Sequence, residues 1–252
     1  MKLAVVATPG TARRARPLLA VVARSVTVVA LDRCDGRPDA VFASSLEAVG
    51  EVPAGVAYAV WVDAEADLSS PAAAGAALVL SQDAGAIAGG AIAVPTEGLD
   101  IAALPPLPPL TRARWRSRFG FPADLVVGID PGADPAGDAR TAVALAAVAV
   151  VHGPLLATAL ALATPVVTSP IEAARLGARP GIDVAVSPTE AAADALARET
   201  AADPDRVALM ARRARAFAER QLDLRAPAEK LRRHLRLVEP SFPGSSVLDA
   251  RL

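Results

Sequence analysis

The 252-residue chain has a single cysteine, Cys34, so it can form neither an internal disulfide nor a cysteine-based metal cluster. That fits a reducing compartment, and the cytoplasm is the expected location. Lysine is almost missing: Lys2 and Lys230 are the only two, and arginine carries nearly all the positive charge. Because 26 basic side chains face 27 acidic ones, no overall field draws the chain to nucleic acid, and no nucleic-acid partner is expected. The only histidines, His152 and His234, stand far apart, and no Asp-x-Asp triplet closes a strand. Neither a metal nor another cofactor is therefore expected.

Long apolar runs are also missing. The Ala/Val-rich stretch from Thr141 is broken by His152, Gly153 and Pro154, and no uninterrupted span of about twenty apolar residues exists to cross a bilayer. No integral membrane span is expected, while peripheral contact stays open. The opening run from Met1 stops at Pro9-Gly10, too short for a signal-peptide core, and reads as a buried strand. It is not followed by Gly-x-Gly-x-x-Gly but by Thr8-Pro9-Gly10-Thr11, which removes the usual dinucleotide pyrophosphate cradle.

What is present is a rhythm of short Val/Leu/Ala runs and helix-like segments, the signature of parallel βαβ units. Strands are expected over Leu3–Ala7, Val26–Leu31, Ala40–Ala43, Tyr58–Val62, Leu78–Ser81 and Ala91–Val94. The runs do not alternate with polar residues, as expected for strands covered by helices on both faces. Leu104-Pro-Pro-Leu-Pro-Pro-Leu110 breaks the rhythm, since prolines at that density favour an extended connector. The expected organisation is a first lobe over 1–103, a linker over 104–110, a second lobe with a helical tail over 111–238, and a loose tail over 239–252.

The second lobe opens on an arginine-rich helix, Thr111–Phe119, before strands at Leu125–Ile129, Ala147–Val151, Pro165–Thr168 and Val184–Val186. Helices are expected near Leu155–Ala163 and Glu190–Thr200. Another follows Asp203-Pro-Asp205 and runs through Gln221, with apolar and arginine residues on separate faces. Its Arg212, Arg213, Arg215 and Arg220, interleaved with Glu219, read as a solvated face rather than a nucleic-acid surface.

Several segments, taken in order, carry a resemblance. Lys2-Leu-Ala-Val-Val-Ala-Thr-Pro and Val26-Thr-Val-Val-Ala-Leu-Asp32 come first, followed by Leu78-Val-Leu-Ser-Gln82 and Ala93-Val-Pro-Thr-Glu-Gly-Leu-Asp100. Ala163-Thr-Pro-Val-Val-Thr-Ser-Pro170, Gly181-Ile-Asp-Val-Ala-Val186 and the arginine/alanine tail ending near His234 complete the series. Together they resemble the retaining glycosyltransferases of GT-B fold, of the family 1/4 type, over most of the chain.

The resemblance implies two facing Rossmann-like lobes, the second reduced, with a nucleotide-sugar donor held mainly by the second. In that family two glutamates eight residues apart contact the donor; the matching positions here are Val150 and Thr158. A glycine usually precedes the Thr-Pro-Val-Val anchor, where Ala163 stands, and a basic pair usually contacts the diphosphate, where Arg140 alone remains. The activity expected is hexosyl transfer to an unknown acceptor. The alternative is an inactive homologue serving as a binding or scaffolding partner, for example of an active glycosyltransferase.

The expected donor site comprises strand-end loops, where helix N-termini offer backbone N–H groups to a diphosphate. Gly10 and Thr11 belong to the first lobe, and Arg140, Gly153, Thr168, Ser169 and Glu172 to the second. His152 is the expected catalytic residue, as general base or ribose ligand, with a packing role as the competing reading. Glu97 and Asp32 are weaker candidates, and each also reads as an ordinary loop or strand-end carboxylate.

Overall fold

The computed structural model describes residues 1–7, 9–129 and 137–237. Thr8, 130–136 and the tail expected over 239–252 lie outside the described residues. The chain divides into two compact units, Met1–Val94 with the C-terminal segment from Ala226, and Pro95–Arg225.

In the first unit, β1 (Lys2–Val6), α1 (Pro9–Val22), β2 (Thr27–Ala30), β3 (Ala40–Ala43) and β4 (Ala57–Val62) are followed by two short helices, α2 (Pro71–Ala74) and α3 (Ala84–Ala88). Between these two helices runs β5 (Leu78–Ser81), and β6 (Ile92–Ala93) ends the series. The six strands form one parallel sheet in the order β2-β1-β3-β4-β5-β6. The winding therefore reverses once, between β1 and β3. All four residues of β3 are buried, which explains why it reads as an unbroken apolar run.

The second unit begins before the proline-rich stretch. Ile101 and Leu104 are 0% and 8% exposed and sit in its core, and α4 (Pro109–Arg118) starts on the last proline pair, with a proline in its first turn where no N–H is needed. Then come β7 (Val126–Ile129), α5 (Asp138–Leu145), β8 (Val148–Val151), α6 (Leu155–Ala161), β9 (Val166–Thr168), α7 (Pro170–Leu176) and β10 (Ala185–Val186). The four strands are parallel in the order β10-β9-β8-β7, wound in one direction only. Two long helices follow, α8 (Glu190–Ala201) and α9 (Pro204–Gln221). All ten strands lie within one residue of their expected bounds.

The second sheet is covered on both faces. Val148 and Val150 of β8 pack with Ala193, Ala197 and Ala201 of α8, while Ala149 and Val151 pack with Leu155, Leu156 and Leu160 of α6 and Phe217 of α9. Each fully buried leucine there contributes about 2 kcal/mol through apolar burial. Side-chain caps set the helix starts: Thr189 accepts from the Ala192 amide at the head of α8, and Asp203 from the Asp205 and Arg206 amides at the head of α9.

The closing helix corrects the sequence grouping, which assigned it to the second lobe. α10 (Arg225–His234) belongs to the first unit from Ala226 onward, where Arg232 donates to the Ser25 hydroxyl at 3.2 Å. Its amphipathic pattern was legible; which unit receives its buried Ala228 and Leu231 was not.

Candidate functional site

A parallel sheet aligns its strands so that all their carboxyl ends meet at one edge. From that edge of the second sheet a cavity of about 790 Å3 extends along β7 back to Asp124 and Val126 at its amino end; every strand reaches it at or just beyond its carboxyl end, with Ile129 from β7, His152 from β8, Ser169 from β9 and Ser187 from β10. Val126 and Gly128 of β7 form part of its floor, and α8 supplies Glu190 from its first turn, Asp194 from its middle and Arg198 from its last turn. Their spacing of four residues puts these three on one helix face. With Asp124 on the rim, the wall carries three carboxylates and one guanidinium.

His152 is half-buried on this wall, and its ring nitrogens have no hydrogen-bond partner among the described residues. Ser169 caps α7: its hydroxyl oxygen accepts from the Glu172 amide at 3.2 Å, which leaves the hydroxyl proton available to the cavity. Ser187 donates to the Thr189 carbonyl at 3.0 Å. Asp194 and Arg198 make no ion pair or hydrogen bond through their side chains among the described residues.

Other expected site residues lie elsewhere or are engaged. The Thr168 hydroxyl is fully buried and donates to the Val151 carbonyl at 2.7 Å, locking β9 to β8. Gly153 adopts a left-handed backbone (φ 66) that a glycine supports without strain. Glu172 receives two hydrogen bonds from Arg175, at 3.0 and 2.8 Å. Arg140 stands in the first turn of α5, with a 3.4 Å hydrogen bond to the Ala103 carbonyl, and does not line the cavity. Gly10 and Thr11 stand in the first turn of α1, in the first unit. Asp32 is exposed in a single 3-10 turn after β2. Val150 and Thr158 are 4% and 6% exposed; Val150 forms part of the cavity wall and Thr158 is packed within α6.

Arg175 was not anticipated, and it organises the neighbourhood. Its guanidinium binds Glu172 and Glu97 together and donates to the Gly153 carbonyl at 3.3 Å. Burial works against its charge, yet the two glutamates outweigh burial and raise its pKa above the ordinary arginine value. The result is a brace linking Glu97, the His152-Gly153 loop and α7. The Glu190/Asp194/Arg198 stripe was also missed, although its four-residue spacing was readable once that helix was recognised. No group of three side chains able to hold a metal exists among the described residues.

No protein-family model and no curated protein matches the sequence. Solved structures do match in fold. A glycosyltransferase from Rickettsia africae superposes with a TM-score of 0.57 at 10% identity, over 94% of this chain and 99% of that one. HepE from Anabaena, solved with UDP and glucose, gives 0.54 at 13% identity, over 94% of this chain and 100% of that one. Sucrose-phosphate synthase from Thermosynechococcus elongatus gives 0.51 at 12% identity, over 94% and 98%. The architecture, two units with parallel sheets flanked by helices, is that of the GT-B glycosyltransferase fold.

Proposed function

We propose that the chain is a glycosyltransferase-like protein that binds a nucleotide-sugar in the second unit and moves its sugar to an acceptor. One observation carries the reading: a cavity bounded by the carboxyl ends of all four strands of that sheet, in a fold whose solved neighbours include a UDP complex. Such a crevice is where open α/β sheets take ligands.

In this reading Glu190 and Asp194 accept hydrogen bonds from the ribose hydroxyls. Arg198, the Ser169 hydroxyl and His152 face the diphosphate, whose negative charge grows as the anomeric carbon–oxygen bond breaks. The acceptor hydroxyl forms the new bond to that carbon and gives up its proton, which His152 is free to take. Gly153 lets the loop turn beside the ligand, and Arg175 holds the loop in place. Arg140, Thr168 and Glu172, engaged by the Ala103 carbonyl, the Val151 carbonyl and Arg175, then act as supports rather than donor contacts.

A second reading, a partner protein that binds without transfer, draws on Val150 and Thr158, where two apolar or buried side chains stand in place of the expected glutamates. Calorimetric titration with UDP, GDP and their sugar conjugates, repeated with His152→Ala, decides between outcomes. Micromolar binding weakened by the substitution, followed by sugar release or transfer, supports the enzyme. Binding with no turnover favours the partner protein, and no heat with any nucleotide sinks the enzyme reading and points to a protein partner.

A further inference from the structure

The chain is poor in aromatics, with two tryptophans, one tyrosine and five phenylalanines, yet three of these gather in the open at the end of α4. Trp115, Phe119 and Phe121 are 39%, 53% and 44% exposed. The Trp115 and Phe119 rings stack with centroids 5.6 Å apart, and Phe121 lies 6.0 Å from Phe119. Leu110, at the other end of the helix, is also exposed. An exposed aromatic group of this kind needs a partner to justify its cost in water.

The charges of α4 divide into two pairs. Arg116 turns inward and donates to the carbonyls of Leu145 and Ala123, and the half-buried Arg112 reaches the Leu162 carbonyl at 3.4 Å. These two pin the helix to the unit. Arg114 and Arg118, one turn apart, are exposed, and Arg118 lies 5.3 Å from the Trp115 ring. No acidic residue occurs from Pro109 to Ala123, so the face is cationic as well as aromatic.

Beside the aromatics opens a mainly apolar cleft of about 350 Å3, lined by Phe119, Phe121, Leu125, Val127 and Leu145, with Asp138 and Thr141 also on its wall. It runs along β7, the edge strand of the second sheet.

We propose that this face docks on a membrane surface bearing anionic lipids. Trp115, Phe119 and Phe121 enter the interfacial layer, Arg114 and Arg118 meet the phosphates, and the cleft receives part of an acyl chain. Tryptophan and basic side chains together suit the headgroup layer, where an amphipathic ring and a cation are both at home. The cleft decides against a nucleic acid: stacking rings and arginines suit single strands, but an almost wholly apolar slot next to them does not suit a polyanion. The proposal stands apart from the nucleotide-sugar reading and does not depend on it.

The chain's two tryptophans make the test direct, because Trp61 is 2% exposed in the first unit and Trp115 is open. Vesicles of phosphatidylcholine, with and without phosphatidylglycerol, are mixed with the full chain, and tryptophan emission is followed with brominated acyl chains as quenchers. The expected result is partition onto the anionic vesicles that salt weakens, with quenching that Trp115→Phe abolishes and Trp61→Phe keeps. Arg114→Gln/Arg118→Gln lowers partition about 30-fold, from about 1 kcal/mol per basic residue near the surface. Phe119→Ser/Phe121→Ser lowers it at least tenfold, with an unchanged far-ultraviolet circular dichroism melting curve as proof of folding. Absence of partition at low salt, or partition unaltered in both double variants, overturns the proposal. So does shielding of Trp115 by self-association, or by an oligothymidylate, in samples that ignore the vesicles.

Discussion

The Arg215 guanidinium donates to the carbonyl of Leu104 at 2.7 Å, joining residues 111 apart in the chain. A second donation from the same nitrogen reaches the Ala161 carbonyl, and Nε is held by Glu219 at 2.7 Å. One side chain of α9 thus ties the start of the proline-rich stretch to the end of α6. Arg215→Ala leaves two carbonyls without their donor and is expected to destabilise the protein by about 2–4 kcal/mol. Arg215→Lys restores only part, because an ammonium lacks the planar fork. Urea unfolding of the three proteins measures this.

Asp183 ties stability to pH. Its carboxylate is 2% exposed and accepts from Arg179 Nε at 2.8 Å, Nη2 at 3.1 Å and the Arg179 amide at 3.0 Å. The hydrogen bonds from the Arg179 side chain, against the opposing effect of burial, hold its pKa below the usual carboxylate value. A depressed folded pKa gives stability that is complete above the unfolded value of about 3.9 and is lost as pH falls through the folded one. Asp183→Asn should lower stability at neutral pH and flatten the decline below about pH 4, read from thermal unfolding across a pH series.

Ala163 offers the opposite sign. It holds φ 56, one of two non-glycine residues with positive φ among the described residues, at the position where the resemblance places glycine. The left-handed region costs an L-residue about 1–2 kcal/mol, while glycine loses about 0.5–1 kcal/mol more backbone freedom on folding. Ala163→Gly is therefore expected to stabilise by up to about 1 kcal/mol, and Ala163→Val to destabilise. Melting temperatures check both.

Within the proposed donor cavity, Arg198 is the one guanidinium on a wall with three carboxylates. Arg198→Ala should weaken UDP binding by about tenfold or more, the loss of one charge-assisted hydrogen bond. Asp194→Asn should leave UDP binding equal or tighter, since it removes repulsion of the diphosphate while keeping an acceptor for a ribose hydroxyl. Calorimetry on both variants tests the assigned roles, and the reverse order of affinities would reject them.

The strands were legible because each is a short apolar run, the central ones such as Val148–Val151 and Ala40–Ala43 buried at every residue. Their order in the sheets was not, because it depends on which strands pair, and Lys2-Leu-Ala-Val-Val carries no mark of lying between β2 and β3. Strand ends were legible, and two of the residues there, His152 and Ser169, line the cavity. The site was not legible where a side chain has two uses. Thr168 looks like a ligand until its proton is seen to bind Val151. Arg175 looks like an ordinary helix arginine until Glu97, 78 residues away, is seen to meet it.

The Leu99 amide donates to the Leu222 carbonyl at 2.7 Å, and the Leu224 amide to the Leu99 carbonyl at 3.0 Å. The residues by which the chain comes into the second unit and goes out of it are thus stitched side by side. In chain order, Pro95–Arg225 is an insertion between two stretches of the first unit. A piece whose two ends meet can be lengthened, duplicated or transplanted without forcing its host apart. It can also be closed on itself by joining those ends, and a permuted chain opened elsewhere would keep both sheets whole.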